Sequence, residues 1–395
     1  MSETDAPEPG RQKLPLALLA TAGFLSSAGA RVMDPLMPAI ARDFGVSVPE
    51  VSVVIAAFTL PYGLNQIVLG PVGDRFGKLR VILAALIGYA VFTNGCALAL
   101  NLMQLTVLRA LAGAASAGLI PVCLAYIGDA VPYHLRQVTL SRFLAGVVLA
   151  QVAAAPLGGI FGDYLSWRGV FVLLAVAAGI LALVLAFRMR NLPDRRGEVT
   201  FALENYMLLA KRPGSRRLLL ATAIEGGLMA GSFPFLAPYL HDSFGLSYAL
   251  VGLVVAAFGV GAFAFTQLAK PIVHALGEAR MVLAGGGLMA MALALGMASP
   301  VWQVFAAAEL VLGFAYVMLH TVLQARATEL LPHARTTAVS SFVFMLFLGQ
   351  GIGALLLGAA IAAWGYRTAF WIDAAAIALL SLWIASIVRL RPHSS

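Results

Sequence analysis

The stretch "GPVGDRFGKLR", Gly70–Arg80, decides how the rest of this chain is interpreted. It places one acidic and three basic side chains between two apolar runs, each long enough to cross a bilayer. Two hundred residues later, "KPIVHALGEAR", Lys270–Arg280, keeps proline, glycine and arginine at the same spacing but lacks the Asp74–Arg75 pair. A charged turn that recurs between apolar runs predicts a duplicated membrane domain.

The composition supports a location in lipid. The 395 residues are 61% hydrophobic and only 11% charged, with a mean hydropathy of +0.91, whereas soluble proteins are about 25% charged. Apolar runs of membrane-spanning length must be helical, because lipid offers the backbone no hydrogen-bond partner. Twelve such runs begin near Leu14, Val51, Val81, Leu102, Leu140, Val170, Leu218, Ala249, Met281, Val301, Ala338 and Ala369.

We therefore expect an all-α polytopic membrane protein with twelve transmembrane helices in two six-helix bundles. The first run is too long for the core of a cleaved signal peptide, so it stays in the protein. A moderately amphipathic segment, "TFALENYMLLAK", is expected on the inner membrane surface. The predicted division is a cytoplasmic tail 1–13, a bundle 14–187, a cytoplasmic linker 188–217, a bundle 218–389 and a cytoplasmic tail 390–395.

The distribution of basic residues predicts the orientation. Most of the 26 lysines and arginines fall in segments that share a side with Met1, and Arg42, Arg168 and Arg367 fall on the other. By the positive-inside rule both termini are cytoplasmic, in a bacterial-type inner membrane. The net charge of +8 reflects this bias, and no basic-aromatic surface for nucleic acid is predicted.

The two halves repeat each other along their whole length. With an offset of 200 residues and no gaps, identical residues stand at many positions from Arg31 to Ala84, and the register continues through Gly113 and Gly313. One residue of slippage aligns "WRGVF", Trp167–Phe171, with "YRTAF", Tyr366–Phe370. Six helices per copy give both halves the same orientation, with a central site at their interface.

These features resemble a known family. "GPVGDRFGKLR" is similar to the signature loop between helices 2 and 3 of the major facilitator superfamily, and Gln66, Arg109, Gly113 and "PLGG" (Pro156–Gly159) resemble its other landmarks. The opening "RVMDPLMPAIARDFGVS" looks most like the twelve-helix drug and metabolite proton antiporter branch. The resemblance implies alternating access. Ala stands where the antiporter motif has a glycine before its proline, which weakens the inference of export.

Ionisable residues inside lipid are costly and are therefore functional candidates. Depth in the membrane can be counted from each helix end at about 1.5 Å per residue. This depth counting puts Asp34 and Arg109 at one level, with Arg31 one turn below Asp34 on the same face. The two arginines and desolvation have opposite effects on the proton affinity of such a carboxylate. We expect Asp34 to be the protonation site and Arg109 its partner, as the resembling arginine is thought to be in the family; a static ion pair is the alternative.

The second half lacks this cluster, since Glu309 stands at the position of Arg109 and Pro234 at that of Asp34. Glu225 and His320 lie at matching depths and form a possible second titratable pair. The alternatives for this pair are packing and substrate contact. Asp373 is expected near the outer interface, where it would be solvated.

Two further sets of residues complete the expected machinery. Substrate-cavity candidates, each of which alone is more often packing, are Tyr62, Asn65, Gln66, Gln151, Phe233, Tyr239, Gln267, Glu309, Tyr316, Phe344 and Gln350. Candidates for a cytoplasmic latch that holds the outward-open state are Gly70, Gly73, Asp74, Arg75, Gly77, Arg80, Asp129 and Arg136.

The expected function is proton-coupled efflux of a small amphipathic or weakly cationic solute, as in multidrug antiporters. Alternatives are proton-coupled uptake, export of a sugar or a lysolipid-like metabolite, and a receptor on a transporter scaffold. No P-loop, nucleophile elbow or metal-protease motif appears, so an enzyme is not expected. We expect a monomer with no cofactor or metal; Cys96 and Cys123 read as buried apolar residues.

Overall fold

The computed structural model describes residues 15–189 and 203–389. Within these ranges, ten helices are long and apolar enough to cross a membrane. Two of them, of 51 and 55 residues, are each divided by a glycine with non-helical angles, Gly277 (φ 67°) and Gly365 (φ 77°). At about 1.5 Å per residue, each is long enough to cross a core of about 30 Å twice. The described helices thus provide twelve crossings, and the predicted all-α membrane fold is confirmed.

The twelve crossing helices divide into two sets of six. The first half contains α1 (Leu16–Phe44), α2 (Val48–Phe76), α3 (Lys78–Ala97), α4 (Leu102–Ala130), α5 (Tyr133–Tyr164) and α6 (Trp167–Arg188). The second half contains α7 (Pro213–Phe244), α8 (248–276), α9 (278–298), α10 (Trp302–Thr328), α11 (335–364) and α12 (366–389).

The sequence predicted the starts of these helices to within several residues. The largest difference is at α5, which begins at Tyr133 and not at Leu140, because about two turns of mostly polar residues precede its apolar run. A short helix, Leu203–Lys211, precedes α7 where the amphipathic segment was predicted. The predicted tails and residues 190–202 of the predicted linker lie outside the described residues.

Local sequence explains where the helices begin, break and end. Ser47 and Glu50 form a capping box at the start of α2. Helix α1 is interrupted by a 3-10 turn at Asp34–Leu36, and α7 by a π segment at Gly226–Gly231 and a 3-10 turn at Phe233–Phe235. Prolines in both 3-10 turns lack the N–H that a regular helix requires. Both breaks lie inside the membrane-spanning lengths.

The repeat predicted from sequence is visible in the turns. Gly45 and Gly245 both have φ of 65° and end α1 and α7, at what we call the Gly45 end of the molecule. Gly77 and Gly277 also have positive φ and make the α2–α3 and α8–α9 turns at the opposite, Gly77 end. A side chain at these angles would be strained, so the same glycines recur in both halves.

Matching side-chain contacts also recur at the Gly45 end. The indole Nε1 of Trp167 donates to Oδ2 of Asp43 at 3.2 Å, and the hydroxyl of Tyr366 donates to Oδ2 of Asp242 at 3.3 Å. Trp167 and Tyr366 are the residues that the slipped alignment of "WRGVF" and "YRTAF" made equivalent. Each contact holds the start of the last helix of its half to the end of the first helix.

Candidate functional site

The break in α1 places an ion pair at the centre of the first half. Arg31 Nη1 lies 3.6 Å from Asp34 Oδ2, and the carboxylate is almost completely buried. Neither oxygen of Asp34 has a hydrogen bond to the described residues. The guanidinium of Arg31 lies 4.4 Å from the ring centroid of Phe233, on α7. A charge of the first half is therefore in contact with the second half.

Arg109 lies close to this pair but binds another group. Its Nη1 donates to the carbonyl oxygen of Gly29 at 2.9 Å, and its guanidinium stacks 4.1 Å from the ring centroid of Phe58. Arg109 is buried and acts on Asp34 through the electrostatic field, since the two side chains make no hydrogen bond. The structure thus brings the three predicted residues into one region, with Arg31 as the direct partner of Asp34.

A small cavity adjoins Asp34 at the interface between the halves. Its volume is about 10 Å³, roughly the space of one water. Asp34 and Gln151 line it from the first half, and Phe233 and Phe258 line it from the second. A carboxylate at this position is therefore adjacent to surfaces contributed by both halves.

Glu309 adds a second buried carboxylate near Arg31. Its side chain is completely buried on α10, and neither oxygen has a hydrogen bond to the described residues. Arg31 is its electrostatic partner. Arg31 therefore lies in the field of two carboxylates, Asp34 from its own helix and Glu309 from the other half.

Glu225 and His320 form the second pair that depth counting predicted. Nδ1 of His320 lies 2.9 Å from Oε1 of Glu225, and the other oxygen of Glu225 has no hydrogen bond to the described residues. Tyr316 stacks on the imidazole with ring centroids 5.2 Å apart, and Phe342 packs 5.5 Å away. The adjacency is confirmed, whereas a role in proton transfer stays a prediction.

Asp373 is not solvated, contrary to the expectation. It is only 4% exposed, and Ser232 of α7 is its polar neighbour. Asp373 lies about two turns inside α12, so the neighbouring helices exclude water from it.

The predicted cavity residues other than Gln267 divide into four groups. Asn65 and Gln66 donate to the carbonyl oxygens of Ala114 and Ala117 at 3.0 and 2.9 Å, so both amides hold α2 against α4. Tyr239 packs among aromatic side chains of its own half, with ring centroids 5.7 Å from Phe305. Its side chain faces α10 and α12, and its role as a cavity residue stays a prediction. The group near the interface of the halves comprises Tyr62, Gln151, Phe233, Glu309 and Tyr316. Phe344 and Gln350 lie on α11, the helix that packs against α2 of the first half.

Gln267 differs from these groups. It is exposed on α8 towards the Gly77 end, and its Nε2 donates to the hydroxyl of the adjacent Thr266 at 3.3 Å. No described contact ties it to the central pairs.

The two halves pack tightly where α5 meets α8. A Cβ added to Gly159 would lie 2.1 Å from the carbonyl oxygen of Tyr248, and one added to Gly252 would lie 2.5 Å from that of Ala155. Only glycine permits this backbone approach. The "PLGG" segment thus serves the contact between the halves near the Gly45 end, besides any effect of Pro156 on the helix.

A carboxylate from the first half caps a helix of the second. Oδ1 and Oδ2 of Asp163, at the end of α5, accept from the backbone N–H groups of Tyr248 and Ala249 at 2.9 and 2.7 Å. Arg42 donates to the hydroxyl of Tyr248, whose ring stacks on His241. These three hydrogen bonds join the halves at the Gly45 end.

Sequence reasoning missed this set of contacts. The signal present was an acid, Asp163, immediately after the glycine-rich stretch of α5. An acid near a helix end is common, and only the packing of α5 on α8 shows which helix it caps. We call Asp163, Arg42 and Tyr248 the Gly45-end closure.

The Gly77 end carries a charge network with one member that was not predicted. Nζ of Lys78 lies 2.8 Å from Oδ2 of Asp129, so the predicted network includes the lysine of the loop. Arg136 donates to the carbonyl oxygen of Val131 at 3.4 Å. Arg75 stacks on Phe76, while the side chain of Asp74 lies outside the described residues.

The second copy of the loop also carries an ion pair, with reversed polarity. Glu278, the counterpart of Lys78, accepts from Nε of Arg326 at 2.6 Å. Arg326 stands one turn before Glu329, the counterpart of Asp129. Although the second copy lacks the Asp74–Arg75 pair, both halves therefore join the loop after their second helix to the end of their fourth.

Two repeated six-helix halves, broken helices at the centre and buried ionisable pairs define a secondary-transporter architecture. The family model described as Major Facilitator Superfamily matches residues 19–214 and 218–395. The chain belongs to that superfamily and is a membrane transporter.

Individual relatives and a solved structure agree with this assignment. The chain is 26% identical over 366 residues to the uncharacterized MFS-type transporter YwfA of Bacillus subtilis (strain 168), covering 91% of this chain and 89% of YwfA. It is 26% identical over 371 residues to the purine ribonucleoside efflux pump NepI of Salmonella paratyphi A, covering 91% and 90%. A bacterial homolog of the human lysosomal transporter Spinster has the same fold, with a TM-score of 0.81 over 96% of this chain and 98% of that chain at 18% identity.

Proposed function

We propose that this transporter exports a small solute in exchange for protons. The observation that carries the proposal is the placement of Asp34: a buried carboxylate without a hydrogen bond to the described residues, adjoining a small cavity between the halves. Protonation of such a group removes a buried charge, so the two bundle arrangements differ in proton affinity. That difference is what couples proton movement to rocking of the bundles.

We propose that the solute moves outward across a bacterial inner membrane, with the Gly77 end of the protein in the cytoplasm. The density of basic residues at the Gly77 end supports the orientation. The relative NepI is named as an efflux pump, which supports export. The Gly45-end closure would then hold the outer side shut, with the chain acting as a monomer.

The proposed substrate is amphipathic or weakly cationic. Aromatic side chains and single carboxylates near the interface of the halves, such as Phe233 and Glu309, suit a solute with an apolar body and little negative charge. A neutral purine ribonucleoside is the second candidate, favoured only by the likeness to NepI.

Proteoliposomes with an imposed pH gradient test the function. Purified protein is assayed with a lipophilic cationic dye, chloramphenicol, inosine, a sugar and a lysolipid, with and without an uncoupler. Gradient-driven movement of the dye opposite to the proton flux is expected. Movement of solute and protons in the same direction would contradict antiport, and transport of inosine alone would support the second candidate.

Glu225 and His320 are proposed as a second titratable pair in the same cycle. His320→Gln keeps a hydrogen-bonding side chain but cannot become charged near neutral pH. If the pair takes part in proton transfer, the variant flattens the pH profile of exchange. If its role is packing or substrate contact, the affinity for solute changes and the shape of the profile is retained.

A further inference from the structure

A groove runs along the side of the first half between α2, α3 and α4. Its volume is about 550 Å³, within the range of about 300–1,000 Å³ typical of ligand sites. Leu69, Val72 and Phe76 of α2 form one wall, and alanines of α3 and α4, Ala84 and Ala114 among them, form the floor. The small floor residues leave room for an apolar chain.

The groove faces the bilayer and not the interface of the halves. Arg80, Ala84, Ile87 and Val91 follow one another at helical spacing on α3 and share an exposed face. Ile87 and Val91 are 51% and 59% exposed. Large apolar side chains exposed on a membrane-spanning helix contact lipid, so the groove opens to the same lipid.

One cation stands at the mouth of this apolar groove. Arg80 is exposed in the first turn of α3, at the Gly77 end, and lines the groove. No described side chain makes an ion pair or hydrogen bond with it. An arginine at the end of a membrane helix extends towards the headgroup region, where it attracts anionic lipid.

The second half differs from the first at one position of the groove floor. The counterpart of Ala114 is Phe314, which packs edge-to-face against Phe265 with ring centroids 5.4 Å apart. The counterpart of Arg80 is Arg280, which is also exposed. The two halves thus offer a matched pair of exposed arginines, and only the first half has an alanine at the floor position where the second has a phenylalanine.

We propose that this groove binds an anionic phospholipid of the cytoplasmic leaflet, with one acyl chain along Leu69, Val72 and Phe76 and the headgroup on Arg80. The apolar walls bind the chain, and Arg80 selects the negative headgroup. The site is separate from the interface of the halves, so it is independent of which solute the protein carries.

Native mass spectrometry of the delipidated full-length protein tests the site. The protein is titrated with palmitoyl-oleoyl phosphatidylglycerol and, separately, with the zwitterionic phosphatidylcholine of the same chains. Phosphatidylglycerol is expected to bind more tightly. Arg80→Gln should weaken its binding about fivefold, the effect of one basic residue near a membrane surface, and Arg280→Gln should leave it unchanged.

Ala114→Phe copies the second half and should weaken binding of both lipids; Ala84→Leu fills the same groove if the first variant does not fold. Equal losses in Arg80→Gln and Arg280→Gln would show general surface attraction and overturn the proposal. Unchanged binding in the groove-filling variant would overturn the acyl-chain site. Competition by glycerol phosphate as strong as that by the lipid would show an anion site without a chain.

Discussion

A substitution at Asp34 can distinguish a role in proton coupling from a purely structural role. Asp34→Asn keeps the shape of the side chain but cannot take up or release the proton. We expect the pH gradient to lose its effect on solute movement, a coupling of about 5–150-fold in typical linked-binding systems. Exchange of solute for solute should continue, because it needs no net proton transfer.

The measurement compares gradient-driven uptake with energy-independent counterflow in proteoliposomes. Glu329→Gln, the same change at an exposed carboxylate, is the control. If Asp34 forms only a static pair with Arg31, the variant lowers thermal stability and leaves the response to the gradient intact. That outcome would contradict the proposed role.

Depth counting predicted which ionisable residues meet but not how they pair. Glu225 and His320 come together because the position of each along a helix determines its level in the membrane. Arg109 donates to the carbonyl oxygen of Gly29. This acceptor is available only because of the backbone conformation next to the break in α1, which depth counting does not predict. The aromatic contacts of Tyr239 could not be predicted for a similar reason, since the direction that a side chain faces depends on how α7 is rotated in the bundle.

At the scale of helices, the cap that Asp163 provides to α8 joins the halves. Asp163→Ala removes a carboxylate that accepts two backbone N–H groups, a loss of about 0.5–2 kcal/mol for helix caps. We expect the Gly45 end to open more often. Asp163→Asn is the matched variant, because asparagine caps helices about as well as aspartate but lacks the charge.

Spin labels on α5 and α8 near the Gly45 end report this change as a distance distribution. Asp163→Ala should populate a longer distance between the two labels. The mean distance in Asp163→Asn should lie between those of Asp163→Ala and the wild type. An unchanged distribution in Asp163→Ala would mean that the glycine-mediated backbone contact alone holds this end shut. Such a cap spans residues far apart in sequence, so hydropathy and motif analysis had no means of finding it.

The reversed ion pairs at the Gly77 end make a second prediction for the helices. Lys78→Glu would place two carboxylates together and cost roughly 1–3 kcal/mol, the scale of a charged hydrogen bond. Adding Asp129→Lys should restore much of the loss, because the second half already uses an acid in the loop and a base on the fourth helix.

Thermal unfolding and transport rate are measured for the single and double variants. The equivalent exchange of Glu278 and Arg326 is the control in the second half. Failure of the double variant to recover stability, with recovery in the control, would show that Lys78 has a specific partner besides Asp129. Recovery of stability without recovery of transport would assign the polarity of the first loop to the transport cycle.

At the scale of the whole molecule, hydropathy and the 200-residue repeat correctly predicted a fold of two helical bundles. The division of the chain at 188–217 stays a prediction. The most extensive contacts between the halves are those of α2 with α11 and of α5 with α8, both built from packing and backbone approach and not from the connecting segment. The halves should therefore associate without a covalent connection.

Co-expression of residues 1–195 and 196–395 as separate chains tests this. We expect the two chains to co-purify and to retain transport at a reduced rate, because joining them raises their effective concentration without adding contacts. Gly159→Leu in the first chain is the critical variant, since its side chain would meet the carbonyl of Tyr248. It should abolish co-purification of the separated halves while the uncut protein still inserts. Separate chains that insert but never associate would show that the connecting segment, and not the two helix interfaces, holds the transporter together.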